Sequence, residues 1–104
     1  MIRKAFLMAL RPGCQDEYEQ RHNPIWPELQ DVLKDHGVRN HSIFLDRGRD
    51  RLFAYLELES EQLWHQTSEI EICRRWWSYM KDLMVTNPDN SPVTVDPDEV
   101  FHLD

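Results

Sequence analysis

The alternation of hydrophobic and polar residues predicts four strands in this chain. Ile2 to Leu10 is a short, mostly apolar run that Pro12-Gly13 stops, which is typical of a central strand. Val38 to Asp46 is predicted to be a second strand, joined by a tight turn to a third at Leu52 to Glu59. A last short strand is predicted at Val100 to Leu103. The third strand alternates strictly, and its apolar face consists of Leu52, Ala54, Leu56 and Leu58.

Capping residues and helical spacing predict two main helices. Asn23 is expected to be the N-cap of the first, with Pro24 at the first helical position. Ser60 is expected to cap a short helical segment. Ser68 and Glu71 stand three residues apart, as in a capping box, and predict the start of the second main helix. Its apolar stripe, with steps of three and four residues, is Ile70, Cys73, Trp77, Met80 and Met84.

This order of elements, β-α-β-β-α-β, predicts an α+β fold of the ferredoxin-like kind in a single domain of residues 1–104. The helices then cover one face of an antiparallel sheet. The other face carries Phe53 and Tyr55 and needs a cover, which a second copy of the chain provides. We therefore expect a homodimer, a dimeric α/β-barrel, with a ligand pocket enclosed by each sheet.

Composition and charge exclude several classes of function. The net charge is −7, from 19 acidic and 12 basic residues, and an acidic surface repels phosphate backbones, so no nucleic-acid partner is expected. No apolar run approaches the roughly 20 residues that span a bilayer, so no membrane partner is expected. Cys14 and Cys73 have no metal-like spacing. A soluble, cytoplasmic protein with free thiols is predicted.

The segment YEQRHNPIWPEL is the first candidate for chemistry. Tyr18 and His22 lie four residues apart in a helical stretch and so share a face, next to a backbone that two prolines stiffen. Histidine is the side chain most easily used as an acid or base near neutral pH. The plainer alternative is a surface histidine at the end of a helix.

His41 and the pair Trp76-Trp77 are further candidates, each with a structural alternative. Alternation along the second strand groups His41 with Arg39, Ile43 and Leu45, and an isolated strand histidine is more often structural. Trp77 belongs to the apolar stripe and is expected in the core. Trp76 lies about 100° further around the helix and either packs or lines a pocket. An indole offers a flat apolar surface and one N–H donor, which suits a sugar.

Motifs for nucleotides, metals and covalent nucleophiles are missing from the sequence, so neither a cofactor nor a metal is expected. The chemistry left open is proton transfer on a neutral small molecule. Two rival functions remain open on a fold of this class: a cofactor-free monooxygenase and a non-catalytic sugar-binding module.

The chain resembles the L-rhamnose mutarotase family nearly end to end, and five stretches carry the resemblance. They are MIRKAF, YEQRHNPIWPEL, VLKDHG, CRRWWSYM and NPDNSPV. The resemblance implies a cytoplasmic homodimer with a ferredoxin-like fold, which interconverts the α and β anomers of L-rhamnose without cofactor or metal. It implies that His22 is the proton donor and that Tyr18, Trp76 and Trp77 contact the sugar.

The second strand departs from the family pattern, because this chain has His41 where the family has tyrosine. The resemblance implies that this tyrosine contacts the sugar, so His41 is expected to face the pocket. An imidazole and a phenol both donate hydrogen bonds, so binding is expected to survive the exchange. Their titration ranges differ widely. The base that partners His22 stays open between His41, a carboxylate and water.

Overall fold

Three antiparallel strands form the sheet of this protein, whose computed structural model describes residues 1–104. They are β1 (Ile2–Ala9), β2 (Val38–Asp46) and β3 (Arg51–Leu58), in the spatial order β1-β3-β2. The hairpin of β2 and β3 confirms the predicted second and third strands. On β3 the predicted apolar face is at most 2% exposed, because the helices cover it.

Four helices and two short 3₁₀ turns pack on that face. The helices are α1 (Gln15–Arg21), α2 (Pro27–Asp35), α3 (Glu61–Gln66) and α4 (Glu71–Met80), and the turns are Thr67–Glu69 and Lys81–Leu83. The predicted cap at Ser60 is confirmed, since its hydroxyl oxygen accepts a hydrogen bond from the Leu63 amide at 3.3 Å. None of the helices is both long and apolar enough to cross a membrane.

Two predicted helix starts are wrong. Helix α2 begins at Pro27 rather than Pro24, with Trp26 at the N-cap position and a cis peptide bond between Asn23 and Pro24. The Asn23 side chain donates instead to the carbonyl of Glu19 at 2.9 Å, so it closes α1 and does not open α2. The other predicted start, the capping box at Ser68, is absent.

Ser68 lies in the first 3₁₀ turn, and its hydroxyl donates backwards to the carbonyl of His65 at 2.9 Å. Ile70 occupies the N-cap position of α4 without a side-chain cap. The Ser68 hydroxyl therefore closes the preceding helical segment, and Ser68 and Glu71 do not form a capping box at the start of α4.

The predicted strand at Val100 to Leu103 is also wrong. Val100 is 93% exposed and Leu103 is 80% exposed, so nothing in the chain buries their apolar side chains as a strand requires. The place beside β1 is taken by the segment after α4. Val95 pairs with Leu7 through two backbone hydrogen bonds of 2.8 and 3.0 Å.

The sheet has one covered and one open face. Three clusters of buried side chains lie on the helix side, and the largest joins Met8 and Leu52 of the sheet to Tyr18 and Met80 of the helices. On the opposite face Phe53 is 41% exposed. Phe44 and Val95 are also exposed on this chain. The uncovered apolar face predicted from β3 is therefore present.

Candidate active site

A cavity of about 1100 Å³ opens between the sheet and the helices. The structure brings all five candidate residues to its lining: Tyr18, His22, His41, Trp76 and Trp77. They come from α1, β2 and α4, three elements that are far apart in the chain. We call the helical side of this cavity, with Tyr18, His22, Trp76 and Trp77, the helical wall. We call its strand side, with His41, the sheet floor.

Tyr18 lies in α1 and His22 is its C-cap residue, so the backbone of the helix sets the orientation of the imidazole. The Nδ1 atom of His22 lies 2.9 Å from the carbonyl oxygen of Tyr18. A carbonyl only accepts, so Nδ1 carries the proton and the neutral ring keeps its lone pair on Nε2. The rings of Tyr18 and His22 lie 4.3 Å apart, which holds the imidazole against the phenol.

The environment keeps both side chains neutral near pH 7. Burial lowers the pKa of His22, and the bond to the Tyr18 carbonyl opposes this only in part. Burial also raises the pKa of Tyr18 well above its usual range. The Tyr18 side chain is 7% exposed, yet its hydroxyl makes no hydrogen bond in the chain and is not sealed from solvent. A neutral phenol is therefore available to donate to a ligand.

An aromatic cluster holds Trp76 in place behind His22. The rings of His22 and Trp76 are perpendicular, edge to face, with their centroids 5.1 Å apart. Trp76 also packs against Trp26 at 5.0 Å and Tyr79 at 5.8 Å. The Arg21 guanidinium lies 4.5 Å over the Tyr79 ring. This packing leaves the wall little freedom to rearrange around a ligand.

The prediction that Trp77 lies in the core is wrong, and Trp76, for which packing and lining a pocket were the alternatives, does both. Trp76 packs against two of the three core clusters, whereas Trp77 joins none and is half-buried at the cavity. The predicted apolar stripe is wrong at Trp77 because the buried residues of α4 are Ile72, Cys73 and Met80. Trp76 lies three residues after Cys73 and four before Met80, on the same face, while Trp77 is about 100° away.

A β-bulge turns His41 toward the cavity. Arg39 is opposite Glu57, but Ser42 is opposite Tyr55, so Asn40 and His41 share a single opposite residue on β3. Beyond the bulge, Ile43 is opposite Ala54 on the helix side of the sheet. The His41 side chain therefore lies on the same face of the sheet as those of Ile43 and Leu45. The predicted grouping with Arg39 is wrong because the extra residue shifts the alternation by one.

His41 titrates in an environment that disfavours its charged form. Desolvation by the surrounding cavity walls lowers its pKa to about 4, and the positive charge of His22 adds to this. The side chain nevertheless keeps an exposed surface toward the solvent in the open cavity. His41 is neutral at pH 7 and makes no side-chain hydrogen bond within the chain.

Lys4 is a cavity residue that the sequence interpretation missed. It lies opposite Leu56, a fully buried residue of the helix side, so Lys4 points to the same side. Lys4 and His41 flank β3 at the same level, about 10 Å apart at the backbone, given strand spacings near 4.8 Å. The Lys4 ammonium has no hydrogen bond or ion pair. Lys4, Phe6 and Met8 are spaced by two residues and so share one face of β1, and this spacing was the signal that could have revealed Lys4.

The loop after α4 supplies further polar groups at the cavity. Asn90, Ser91, Thr94 and Asp96 line it. The side chains of Asn87 and Ser91 bond to each other at 3.1 Å, which braces the turn. No group of three or more histidine, cysteine or acidic side chains is placed to hold a metal ion.

Two neutral imidazoles, a neutral phenol and two indoles around one cavity define a class of site. Groups of these types can exchange protons with a small molecule that has both hydroxyls and apolar patches. This is the arrangement of a small α+β enzyme that works by acid–base chemistry.

Comparison with known proteins identifies the family. The family model described as L-rhamnose mutarotase matches residues 3–103. An L-rhamnose mutarotase of Pectobacterium carotovorum is 56% identical over 104 residues, which cover both chains completely. One of Escherichia coli O157:H7 is 56% identical over 103 residues, or 99% of each chain. A crystal structure of L-rhamnose mutarotase from Formosa agariphila covers both chains completely, with a TM-score of 0.93 and 40% identity.

The chain belongs to the L-rhamnose mutarotase family, which confirms the resemblance found in its motifs.

Proposed function

We propose that the protein is an isomerase that interconverts the α and β anomers of L-rhamnose in this cavity by general acid–base catalysis. Family membership supports the substrate and the reaction. The observation that carries the mechanism is the imidazole of His22, which the Tyr18 carbonyl holds with Nδ1 protonated and Nε2 free. A base with one fixed lone pair is what the opening of a hemiacetal ring requires.

Mutarotation exchanges two protons without any redox change. The anomeric hydroxyl loses its proton as the bond between C1 and the ring oxygen breaks, and the ring oxygen gains one. Rotation about C1–C2 and reclosure, with the proton transfers reversed, give the other anomer. The lowered pKa of His22 means that its neutral Nε2 first accepts the proton from the anomeric hydroxyl. The resulting imidazolium then donates this proton to the ring oxygen, so that His22 is neutral again in the open-chain form, and reclosure reverses both transfers.

The other groups of the cavity hold the sugar. The Tyr18 hydroxyl, which lacks a partner in the chain, donates to a sugar oxygen. The indole of Trp77 packs against no core cluster, and Trp76 presents the edge of a ring that its neighbours hold in place. Both indoles are suited to contact the apolar side of a 6-deoxy sugar. His41 takes the position of the family tyrosine and bonds a hydroxyl as a neutral donor or acceptor.

The test is NMR magnetization exchange between the two anomers of L-rhamnose, with and without the protein. We expect the protein to speed the exchange at catalytic concentration. Saturable rhamnose binding without faster exchange would instead identify a sugar-binding module. Oxygen uptake with an aromatic substrate would identify a monooxygenase of the same fold.

We also propose that the domain, residues 1–104, is ferredoxin-like and forms a cytoplasmic homodimer through the open sheet face. The order β1-β3-β2 and the pairing of Val95 beside β1 support the fourth strand position of that fold. The exposed Phe44 and Phe53 support a face that a second copy covers. The two free cysteines agree with a reducing compartment.

Sedimentation equilibrium at micromolar concentration tests the dimer. We expect twice the mass of one chain, and Phe53→Lys is expected to lower it, because a charge then lies in an apolar interface. Gln62→Lys, on an exposed position of α3, is the matched control and keeps the dimer. A single-chain mass for the parent throughout that range would refute this assembly.

A further inference from the structure

The bulge in β2 determines which side of the sheet His41 serves. Side chains alternate between the faces of a strand with a period of two, so one extra residue moves every later side chain to the other face. Because Asn40 and His41 together oppose Leu56, the extra residue lies just before His41. In a regular strand with the register of Val38 and Arg39, His41 would lie on the open face, away from the cavity.

The bulge rests on an unusual backbone conformation at Asn40. Its φ is +50°, in the left-handed region that most side chains avoid and that asparagine tolerates best after glycine. A left-handed first residue is one of the standard forms of a bulge. The residue type at position 40 therefore permits the local geometry but does not by itself hold it.

The carboxylate of Glu57 holds the bulge from the open face. The Asn40 amide donates to one oxygen at 2.6 Å, and the Tyr55 hydroxyl donates to the other at 2.8 Å. The pKa of Glu57 is lowered chiefly by the bond from Asn40 and next by the bond from Tyr55, so the carboxylate is ionised and accepts both strongly. One side chain of β3 thus ties the bulged residue to its neighbour strand.

We propose that Glu57 and Asn40 are positioning residues that keep the bulge in place and so aim His41 into the cavity. Glu57 does not line the cavity, and Asn40, which does, acts on His41 through the bulge. The link connects the open sheet face, where the clamp lies, with the cavity on the other side of the same sheet. Its effect on catalysis rests on the proposed function of His41, whereas its effect on the direction of His41 does not.

His41 itself reports the outcome, because its surroundings differ on the two faces. Within the cavity it meets desolvation and the charge of His22. On the open face it would meet solvent and the carboxylate of Glu57, both of which favour the charged ring. The other charged groups that line the cavity are Lys4, Glu19, Lys34, Arg39, Arg47 and Asp96.

The experiment follows the His41 ring by NMR titration in the full-length protein and measures rhamnose anomer exchange in the same samples. Glu57→Ala removes the clamp, and Asn40→Val disfavours the left-handed backbone through its branched side chain. Glu57→Gln keeps an acceptor oxygen, and Asn40→Gly keeps the backbone freedom, so they are the matched controls. Thermal melts confirm that each variant is folded.

We expect the pKa of His41 to rise toward the ordinary histidine value in Glu57→Ala and Asn40→Val, and to move less in the two controls. The KM for rhamnose is expected to rise about 3- to 10-fold in the two disruptive variants, as for one lost hydrogen bond, with a smaller change in kcat. An unchanged His41 titration in both disruptive variants would overturn the positioning role. If the parent fails to catalyse the exchange, the proposed function fails, and the titration still decides the role of the clamp.

Discussion

The helical wall and the sheet floor of the cavity are built in opposite ways. On the wall, His22 is held by a backbone carbonyl and two ring contacts, and Trp76 lies in an aromatic cluster. On the floor, the side chains of His41 and Lys4 face the cavity without any hydrogen bond in the chain. Groups already bound by the protein have a preset geometry, whereas unpaired polar groups have their bonding capacity left for a ligand.

This contrast assigns different work to the two sides. A fixed tautomer and orientation are what proton transfer needs, so in the proposed mechanism the wall carries the chemistry. Free donors and acceptors are what recognition of hydroxyls needs, so the floor carries selectivity. Changes at the fixed groups of the wall, His22 and Trp76, are therefore expected to lower kcat or stability. Changes at groups that only contact the sugar, on the floor and at Trp77, are expected to raise KM.

The strongest test of the wall is His22→Ala. We expect anomer exchange to slow by about 10²-fold or more, because the positioned acid–base group is gone. His102→Ala removes an exposed histidine of the C-terminal segment and is the control that keeps the parent rate. Exchange within a few-fold of the parent in His22→Ala would remove His22 from the mechanism.

A comparison of Trp76→Ala with Trp77→Ala separates packing from ligand contact on the wall. Trp76 packs against two core clusters, so its loss is expected to lower the free energy of unfolding by roughly 3 kcal/mol. Trp77 joins no cluster, so its loss is expected to cost clearly less stability and to raise the KM for rhamnose instead. Urea denaturation measures the stability losses and exchange kinetics measure the KM values; equal stability losses would contradict the greater packing of Trp76.

On the floor, Lys4→Met keeps the length of the side chain and removes its charge. We expect the KM for rhamnose to rise about 3- to 10-fold with kcat nearly unchanged, because one donor to the sugar is lost. Lys81→Met, at an exposed position of the second 3₁₀ turn, is the matched control. A parent-like KM in Lys4→Met would show that the ammonium does not reach the sugar.

The smallest expected effect concerns pH. The pKa values of His22 and His41 lie below the ordinary histidine value of about 6.5. Below about pH 6.5 the unfolded chain therefore binds more protons than the folded chain. As a result, the free energy of unfolding decreases as the pH is lowered from about 6.5 to the folded-state pKa values. Activity also falls there, since the catalytic base becomes protonated.

Burial lowers the pKa of His41 to about 4, and the charge of His22 lowers it in the same direction. We expect His41→Tyr to keep the parent pH–rate profile from pH 8 down to about pH 5 and to depart from it only below. Profiles that already diverge near pH 6.5 would show that the two imidazoles titrate together in the parent.

Much of this molecule follows from local sequence. The alternation in Leu52 to Leu58 predicted the hairpin and its buried face, and the four-residue spacing of Tyr18 and His22 predicted a shared helical face. The motifs also predicted the family. Such features depend on periods of two and 3.6 residues, which neighbouring residues determine largely by themselves.

Tertiary contacts decided the rest. The extra residue at Asn40 is visible only when β2 is aligned with β3, and it places His41 on the helix side of the sheet with Ile43, whereas Arg39 is opposite Glu57 on the other face. Trp76 rather than Trp77 is packed because the sheet, α2 and α1 meet α4 along one face. The segment that pairs beside β1 contains Val95 and not Val100, although both stretches are apolar. Each outcome depends on a partner distant in sequence, and a local pattern carries no information about which partner arrives.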